Sequence, residues 1–229
     1  NNAELSEYTT NDSTVDENGE GQNFNIASIS DVMPGSDPAS SAKNLDSGSG
    51  AGMTLVTKLL GHYAIGASIA AIILAKKLGL TDEQIQKGIS ELSPVAHRLQ
   101  PIWNKDGNVL VIDDSYNGNP DGVREAIAVL AKFKNRRKIF LTPGLVETGS
   151  QTAELHHNIG KQLATVADKV LLIQNSVSGY IVEGLQTAGF NAANITIFAT
   201  TQSAHSSLGQ ILQPNDVILF QNDWPDNYS

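Results

Sequence analysis

Residues 109–120 read Val-Leu-Val-Ile-Asp-Asp-Ser-Tyr-Asn-Gly-Asn-Pro and decide the fold. The four apolar residues predict a buried strand, which ends at the carboxylates of Asp113 and Asp114. A polar loop follows, in which Asn119 suits the N-cap and Pro120 the first position of a helix. In open α/β sheets, ligands bind just beyond the carboxyl ends of the strands. This stretch therefore predicts a strand-loop-helix unit and the location of a binding site.

The two carboxylates are the chemically informative groups of this loop. When ionised they only accept hydrogen bonds, so they suit ribose hydroxyls. As a pair they could also bind Mg²⁺ or act as general acid and base. Their negative charge repels phosphate. The alternative interpretation is purely structural, because Asp often serves turns. In that case one Asp caps the loop backbone and the other is solvated.

Beyond Pro94, apolar runs of strand length alternate with helical patterns. Strands are predicted at 99–103, 108–112, 138–141, 169–173, 195–198 and 217–220. Helices are predicted from Pro120 and at 152–166, 177–188 and 202–212. Such alternation predicts the α/β class, with a mainly parallel sheet that carries helices on both faces.

The part before Pro94 differs in character. Residues 54–60 are predicted to form a short strand, and a helix rich in Ala and Ile follows from Gly61 to about Lys77. Thr81 and Gln84 predict a capping box for a second helix that ends near Leu92. This short helical segment, residues 53–93, has too little core to stand alone.

Residues 1–52 form a polar, acidic stretch. Nine acidic residues and one basic residue lie among residues 1–50, so they carry nearly all of the net charge of −9. Residues 47–52 are typical of a flexible linker. The stretch is expected to be disordered, or to be the edge of a domain whose remainder is missing.

Composition excludes several classes of function. The 229 residues contain no Cys, which excludes disulfides, thiolate metal sites and a Cys nucleophile. The charge distribution argues against nucleic-acid binding. The longest apolar stretch, 64–75, is too short to insert across a membrane. The chain begins with Asn-Asn, so it is expected to be a fragment or a processed piece.

Several motifs occur in the order seen in the Mur ligases. They are Gly61 and the helix after it, His97-Arg98-Leu99, residues 113–120, Arg136-Arg137-Lys138, Glu147-Thr148-Gly149 and His156. The chain most resembles the branch that adds D-alanyl-D-alanine to a UDP-N-acetylmuramoyl-peptide. The resemblance implies that residues 94–229 are the Rossmann-like C-terminal domain and that 53–93 end the central ATPase domain. It also implies a cytoplasmic, monomeric enzyme that uses ATP and Mg²⁺.

The resemblance assigns roles to individual residues. Asp114 matches the carboxylate that holds the ribose of ATP, and Arg98 matches the arginine that reaches the nucleotide. An interdomain salt bridge is the alternative for Arg98. The other expected nucleotide neighbours are Asp113, Tyr116, Asn119 and His62. Asn117 and His156 are expected to contact substrate, and no catalytic residue or metal ligand is expected in this chain.

The remaining histidines have weaker assignments. His156 could equally belong to a capping or surface pair with His157. His97 and His62 border the expected nucleotide cleft. His205 has no partner suggested by the sequence and is expected at the surface.

The departures from the family pattern are as informative as the motifs that match it. No Gly-x-x-x-x-Gly-Lys-Ser/Thr loop is present, so nothing in this chain would cradle the ATP phosphates. Where the family carries a His-Asn pair and a later Asn, this chain has Tyr63, Ala64 and Ala67. An adenine contact through Asn is then lost, unless His62 substitutes for it. The family's Gly-Asp-Met loop is replaced by Pro143-Gly144-Leu145.

Three hypotheses follow. The first is a part of a peptidoglycan-precursor ligase that is inactive alone. The second is a stand-alone Rossmann-like module that binds a nucleotide or nucleotide-sugar without ligase activity. The third is a structural or regulatory protein with a degenerate ligase domain.

Overall fold

The computed structural model describes residues 14–15, 22–26, 53–116 and 118–223. The described residues before Pro94 form three strands and two helices: β1 (Thr14–Val15), β2 (Gln22–Ile26), β3 (Met53–Thr57), α1 (His62–Lys77) and α2 (Asp82–Glu91). β1, β2 and β3 form an antiparallel sheet. The residues of the predicted linker, 47–52, lie outside the described ranges.

The two helices share a small apolar core with β3. It consists of Leu55, Ile65, Ile69, Ile72, Ile85 and Ile89. The capping box predicted for α2 is present, with the Thr81 hydroxyl accepting from the Gln84 N–H and the Gln84 side chain accepting from the Thr81 N–H. The strand predicted at 54–60 ends earlier, at Thr57. Leu60 instead enters the larger core of the C-terminal part and ties the two parts together.

The C-terminal part contains six strands and four helices. The strands are β4 (Gln100–Asn104), β5 (Val109–Asp114), β6 (Arg137–Thr142), β7 (Lys169–Ile173), β8 (Ile195–Phe198) and β9 (Asp216–Gln221). The helices are α3 (Pro120–Ala131), α4 (Thr152–Val166), α5 (Ser178–Thr187) and α6 (Thr201–Ile211). Every predicted element after Pro94 is present, with its ends shifted by two residues at most.

The strands form one sheet in the order β4-β5-β9-β6-β7-β8. β4 pairs with β5 as an antiparallel hairpin, and all other neighbours are parallel. The predicted mainly parallel α/β sheet is therefore confirmed. Since β9 lies between β5 and β6, the carboxyl ends of these three strands meet at one place, which we call the carboxyl edge.

Helices cover both faces of this sheet, as predicted, but unequally. α3, α4 and α5 pack on one face against side chains such as Leu110, Phe140 and Leu219. On the other face, α6 contributes Ala204 to a smaller core with Ile139 and Ile218. Neighbouring residues of a strand point to opposite faces, which explains why both cores draw on the same strands.

α4 and α5 approach each other with their backbones. A Cβ added at Gly184 would lie 2.0 Å from the carbonyl oxygen of His157, and one at Gly160 would lie 2.2 Å from that of Ile181. Only glycine permits this contact. In the described ranges, no helix is both long enough and apolar enough to cross a membrane.

Candidate nucleotide site at the carboxyl edge

The site is built on the turn that leads into β4. His97 and Leu99 adopt left-handed backbone conformations, with φ of 61° and 45°. Such values are uncommon for residues with a side chain and are held here by surrounding contacts. The Leu99 side chain is buried, and its N–H donates to Oδ1 of Asp114 at 3.1 Å. The turn thus places Arg98 beside the carboxylates at the end of β5.

Asp114 is a partly buried carboxylate at the end of β5. Burial raises its pKa to about 6, opposed by the Leu99 N–H and by the positive charge of Arg98, while Asp113 raises it further. Within the described residues, only Oδ1 accepts a hydrogen bond. Oδ2 is therefore available to a ligand at the mouth of the loop.

Asp113 has a different environment. Its Oδ1 accepts from both the N–H (3.1 Å) and the hydroxyl (2.6 Å) of Ser115, and its Oδ2 lies 2.8 Å from Nδ1 of His97. One of the two carboxylates therefore caps the loop, as the structural interpretation expected. The other, Asp114, is partly buried and not fully solvated as that interpretation required. The geometry favours a positioning role for Asp113 over direct ligand contact, because both of its oxygens already have partners.

Arg98 and Tyr116 form the exposed wall of the site. The guanidinium of Arg98 lies over the Tyr116 ring, 4.7 Å from its centroid. Such stacking holds a planar cation in one orientation. Tyr116 is 53% exposed, so its ring remains accessible to a ligand. Asn119 acts as the predicted N-cap of α3, with its Oδ1 accepting from the Gly122 N–H at 2.8 Å. Asn117 lies outside the described residues.

α1 closes the site from the other side. The His62 N–H and Nδ1 both contact Oε1 of Glu125 on α3, so His62 is directed towards α3. Tyr63 faces the charged groups instead: burial and the charges of Asp114 and Glu125 raise its pKa, while Arg98 lowers it. Tyr63 and Glu125 were not among the predicted site residues. Tyr63 could have been predicted, because it stands where the family carries a His. Nothing in the sequence indicated Glu125.

A polar clamp holds together the three loops of the carboxyl edge. The Asn222 N–H donates to the carbonyl of Asp114, and its side chain accepts from the Gly118 N–H and donates to the carbonyl of Gly144. A Cβ at Gly118 would lie 2.3 Å from Nε2 of Gln221, so a larger residue there would displace the Gln221 side chain. This clamp fixes the position of Asp114 relative to β9 and β6.

His156 lies behind the clamp and not at the surface. It is fully buried; its Nε2 accepts from the Leu145 N–H at 2.9 Å and its Nδ1 donates to the Thr152 carbonyl at 2.7 Å. The expected surface or capping pair is therefore wrong for His156, and no ring nitrogen remains for a substrate. Its role is to hold the Pro143-Gly144-Leu145 loop.

His205 is exposed, as expected, but it has partners that the sequence did not suggest. Its ring stacks on Phe220 with 5.2 Å between centroids, and its Nε2 lies 2.5 Å from Oδ2 of the buried Asp223. The sequence could not indicate this pair, because the two residues meet only when α6 packs beside β9. Among the described residues, no group of three or more His, Asp or Glu side chains could hold a metal ion.

The fold and this edge define a Rossmann-like domain with a polar candidate site beyond its strand ends. Residues 97–221 match the family of the Mur ligase glutamate ligase domain. The chain belongs to the Mur ligase family.

Individual relatives agree with this assignment. The UDP-N-acetylmuramoyl-tripeptide–D-alanyl-D-alanine ligase of Synechocystis is 26% identical over 171 residues, covering 74% of this chain and 36% of the relative. The Escherichia coli ligase of the same name is 32% identical over 116 residues, covering 50% and 25%. The chain thus spans about a third or less of the length of these curated relatives.

Solved structures share the fold. MurF from Acinetobacter baumannii superimposes with a TM-score of 0.65 at 24% identity, over 93% of this chain and 41% of that one. MurF ligase from Thermotoga maritima, solved in complex with ADP, gives 0.68 at 18% identity, over 93% and 42%.

Proposed function

We propose that this chain supplies the ribose side of the ATP site in a ligase of peptidoglycan precursor synthesis. The complete enzyme would join D-alanyl-D-alanine to a UDP-N-acetylmuramoyl-peptide, as the names of its relatives state for those proteins. The observation that carries the proposal is Asp114. It is a half-buried carboxylate at a strand end, with one oxygen fixed by the Leu99 N–H and the other available.

Asp114 would hold the ribose hydroxyls. A carboxylate accepts hydrogen bonds from two adjacent hydroxyls without a change in its own charge. The pKa of about 6 means that Asp114 is mostly ionised at neutral pH and loses this capacity in mild acid. The clamp around Asn222 pre-organises the group, so little ordering is needed on binding.

Arg98 would reach the phosphate oxygens. Its guanidinium carries a fixed charge and several donors in one plane, a geometry that suits phosphate. Stacking on Tyr116 holds this plane at the mouth of the site. Tyr63 and Tyr116 would line the space in which the nucleotide lies.

The phosphates and Mg²⁺ would be held elsewhere in the complete enzyme. This chain contains no phosphate loop of the Gly-x-x-x-x-Gly-Lys-Ser/Thr type, and its described residues offer no metal-binding group. Bound ATP would supply the phosphoryl group that activates the peptide carboxyl group for attack by the amine of D-alanyl-D-alanine. The residues present here would bind and orient the nucleotide.

The domain assignment belongs to the same proposal. Residues 94–229 would be the C-terminal domain, residues 53–93 the end of the central domain, and residues 1–52 an acidic segment before it. The enzyme would act as a cytoplasmic monomer.

The test uses the complete protein. Asp114→Ala and Arg98→Ala should each lower ATP-dependent ligation by about a hundredfold, comparable to removing one charge-assisted contact in a closed site. Arg124→Ala is the matched control, because Arg124 is an exposed arginine whose ion pair among the described residues is with Asp121 on the same helix. Full activity in both site variants would refute the assignment.

Calorimetry on this chain alone distinguishes the stand-alone binding module, the second hypothesis, from a part of a larger ligase. A nucleotide or nucleotide-sugar that binds more tightly than about 10 μM, roughly −7 kcal/mol, would identify a stand-alone binding module. Weak or absent binding is expected if the phosphate loop of the complete enzyme supplies the remaining affinity.

A further inference from the structure

The first turn of α1 has no cap of its own. Its N-cap is Gly61, which carries no side chain, and its first turn contains no acidic residue. The N–H groups that begin a helix lack partners within that helix, and the side chain of the N-cap residue commonly accepts from one of them. Three other helices carry such a cap: Thr81 for α2, Asn119 for α3 and Thr200 for α6. The acceptor for α1 comes from a distant part of the chain.

Glu125, in the middle of α3, is this acceptor. Its Oε1 accepts from the His62 N–H and lies 3.1 Å from Nδ1 of the His62 ring, although the two residues are 63 positions apart. A carboxylate at this end of a helix also interacts favourably with the helix dipole. The next two residues of α3, Ala126 and Ile127, are buried in the core, so the backbone of Glu125 is firmly placed.

The contact joins two parts of the chain that pack separately. α1 shares the small core with β3 and α2, whereas α3 belongs to the large core on the sheet. Leu60 crosses between them as a buried apolar side chain. Apolar burial is non-directional, so Leu60 alone does not set the direction in which α1 leaves the C-terminal part. The hydrogen bond from His62 to Glu125, two residues further along, adds the missing direction.

The same carboxylate lies beside the ring of Tyr63. A Cβ added at Gly61 would lie 2.9 Å from Cε1 of Tyr63 and 3.1 Å from Oε1 of Glu125, so the ring and the carboxylate meet over this glycine. Tyr63 is exposed and is the residue of α1 on which the charges of Asp114 and Arg98 act. The position of this ring in the candidate nucleotide site therefore depends on how α1 is held.

We propose that Glu125 is a positioning residue of the nucleotide site, which caps α1 from α3 and thereby fixes Tyr63 beside the loop that carries Asp114. Its effect on ATP rests on the proposed function, whereas its effect on the orientation of α1 does not. Two measurements separate these effects.

The first measurement is a distance between the two parts in the full chain, without nucleotide. The chain contains no Cys, so spin labels attach only at two introduced cysteines. Lys87→Cys on α2 and Lys161→Cys on α4 are exposed positions in the two parts. Double electron–electron resonance should give one narrow distance distribution in this labelled parent. Glu125→Ala should broaden it or add a second distance.

Three further variants show that the cap is responsible. His62→Pro removes the N–H donor at a position that suits proline and leaves Glu125 intact, so it should broaden the distribution as Glu125→Ala does. Glu125→Gln keeps an oxygen that can accept from His62 and should stay narrow. Glu183→Ala removes an exposed glutamate within α5 and should also stay narrow. Thermal unfolding shows whether each variant is folded, and His62→Pro serves as the test if Glu125→Ala does not fold.

The second measurement is the KM for ATP in the complete ligase. Glu125→Ala should raise this KM about fivefold, the factor that corresponds to one helix cap, with a smaller change in kcat. Glu125→Gln should stay within about twofold of the parent, although it removes the charge that acts on Lys132. A parent that does not ligate would refute the proposed function and leave the distance result standing.

Four results would overturn the positioning role. They are an unchanged distribution in folded Glu125→Ala or His62→Pro, equal broadening in Glu183→Ala, a distribution in Glu125→Gln as broad as in Glu125→Ala, and an unchanged KM for ATP in an active Glu125→Ala ligase. The third result would mean that the charge of Glu125, and not its acceptor oxygen, holds α1.

Discussion

Oδ1 of Asp114 accepts a hydrogen bond from the backbone N–H of Leu99 at 3.1 Å, although Leu99 must adopt a φ of 45° to donate it. The strained residue and the desolvated carboxylate thus support each other at the end of β5. Neither feature benefits folding by itself. Their combination is typical of a site in which function is maintained at the expense of stability.

Asp114→Asn should therefore stabilise the fold at neutral pH. Folding raises the pKa of Asp114 from 3.8 to about 6. Between these pH values the folded protein keeps the Asp114 proton and the unfolded chain loses it. The free energy of unfolding therefore falls as the pH rises from 3.8 to 6. Asn keeps an oxygen for the Leu99 N–H and carries no charge. The gain at pH 8 should reach at most about 3 kcal/mol and should vanish near pH 3.5.

Urea unfolding of both proteins at the two pH values measures this difference. A variant that is less stable than the parent at pH 8 would show that the Arg98 charge outweighs the burial of Asp114. Nucleotide affinity should move in the opposite direction to stability, since the variant cannot offer an anionic acceptor to the ribose.

Local pattern was enough to predict the sheet and the loop at its edge. The strand at 109–112, the cap at Asn119 and the later alternation depend on hydrophobic period and turn chemistry, which operate over a few residues. The Asp114 environment, by contrast, needs the Leu99 N–H, and the clamp needs Asn222, which lies more than a hundred residues from Gly118. Such contacts depend on strand order, and the insertion of β9 between β5 and β6 leaves no local trace in the sequence.

Asn222→Asp tests the clamp. The carboxylate can still accept from the Gly118 N–H, but it loses the donor to the Gly144 carbonyl and places a charge against that oxygen in a buried position. The expected cost is about 2 kcal/mol or more. Asn215→Asp is the matched control, because Asn215 is also left-handed and also donates to a carbonyl, but at an exposed position.

Chemical denaturation compares the two variants. The Asn215 variant should lose less than about 1 kcal/mol, as expected for surface hydrogen bonds. Equal losses in both would mean that the clamp adds nothing beyond an ordinary turn.

Gly184→Ala should disrupt the contact between α4 and α5. The new Cβ would lie 2.0 Å from a backbone oxygen, so the helices must separate, at a cost of about 3 kcal/mol or more. Gly179 lies on the same helix with no atom within 4 Å of an added Cβ. Gly179→Ala should leave stability unchanged or raise it by up to about 1 kcal/mol through helix propensity. Thermal unfolding of the Gly184→Ala and Gly179→Ala variants measures the difference. A Gly184 variant as stable as the parent would contradict close backbone packing of α4 and α5.

His156→Ala should be among the most destabilising single substitutions at the carboxyl edge. It opens a cavity in the core and leaves both the Leu145 N–H and the Thr152 carbonyl without the ring nitrogens that they contact. We expect a loss of about 3 kcal/mol from these two effects together. His157→Ala serves as control, since His157 is partly exposed and its ring makes a single long hydrogen-bond contact, 3.5 Å to Thr187, within the described part of the chain. Urea unfolding gives the stability of each variant.

In the complete ligase, activity per folded molecule should survive the His156 substitution far better than it survives Asp114→Ala, because His156 supports the loop and touches no ligand. A His156 variant that is folded and stable but inactive would instead place this ring in direct contact with substrate.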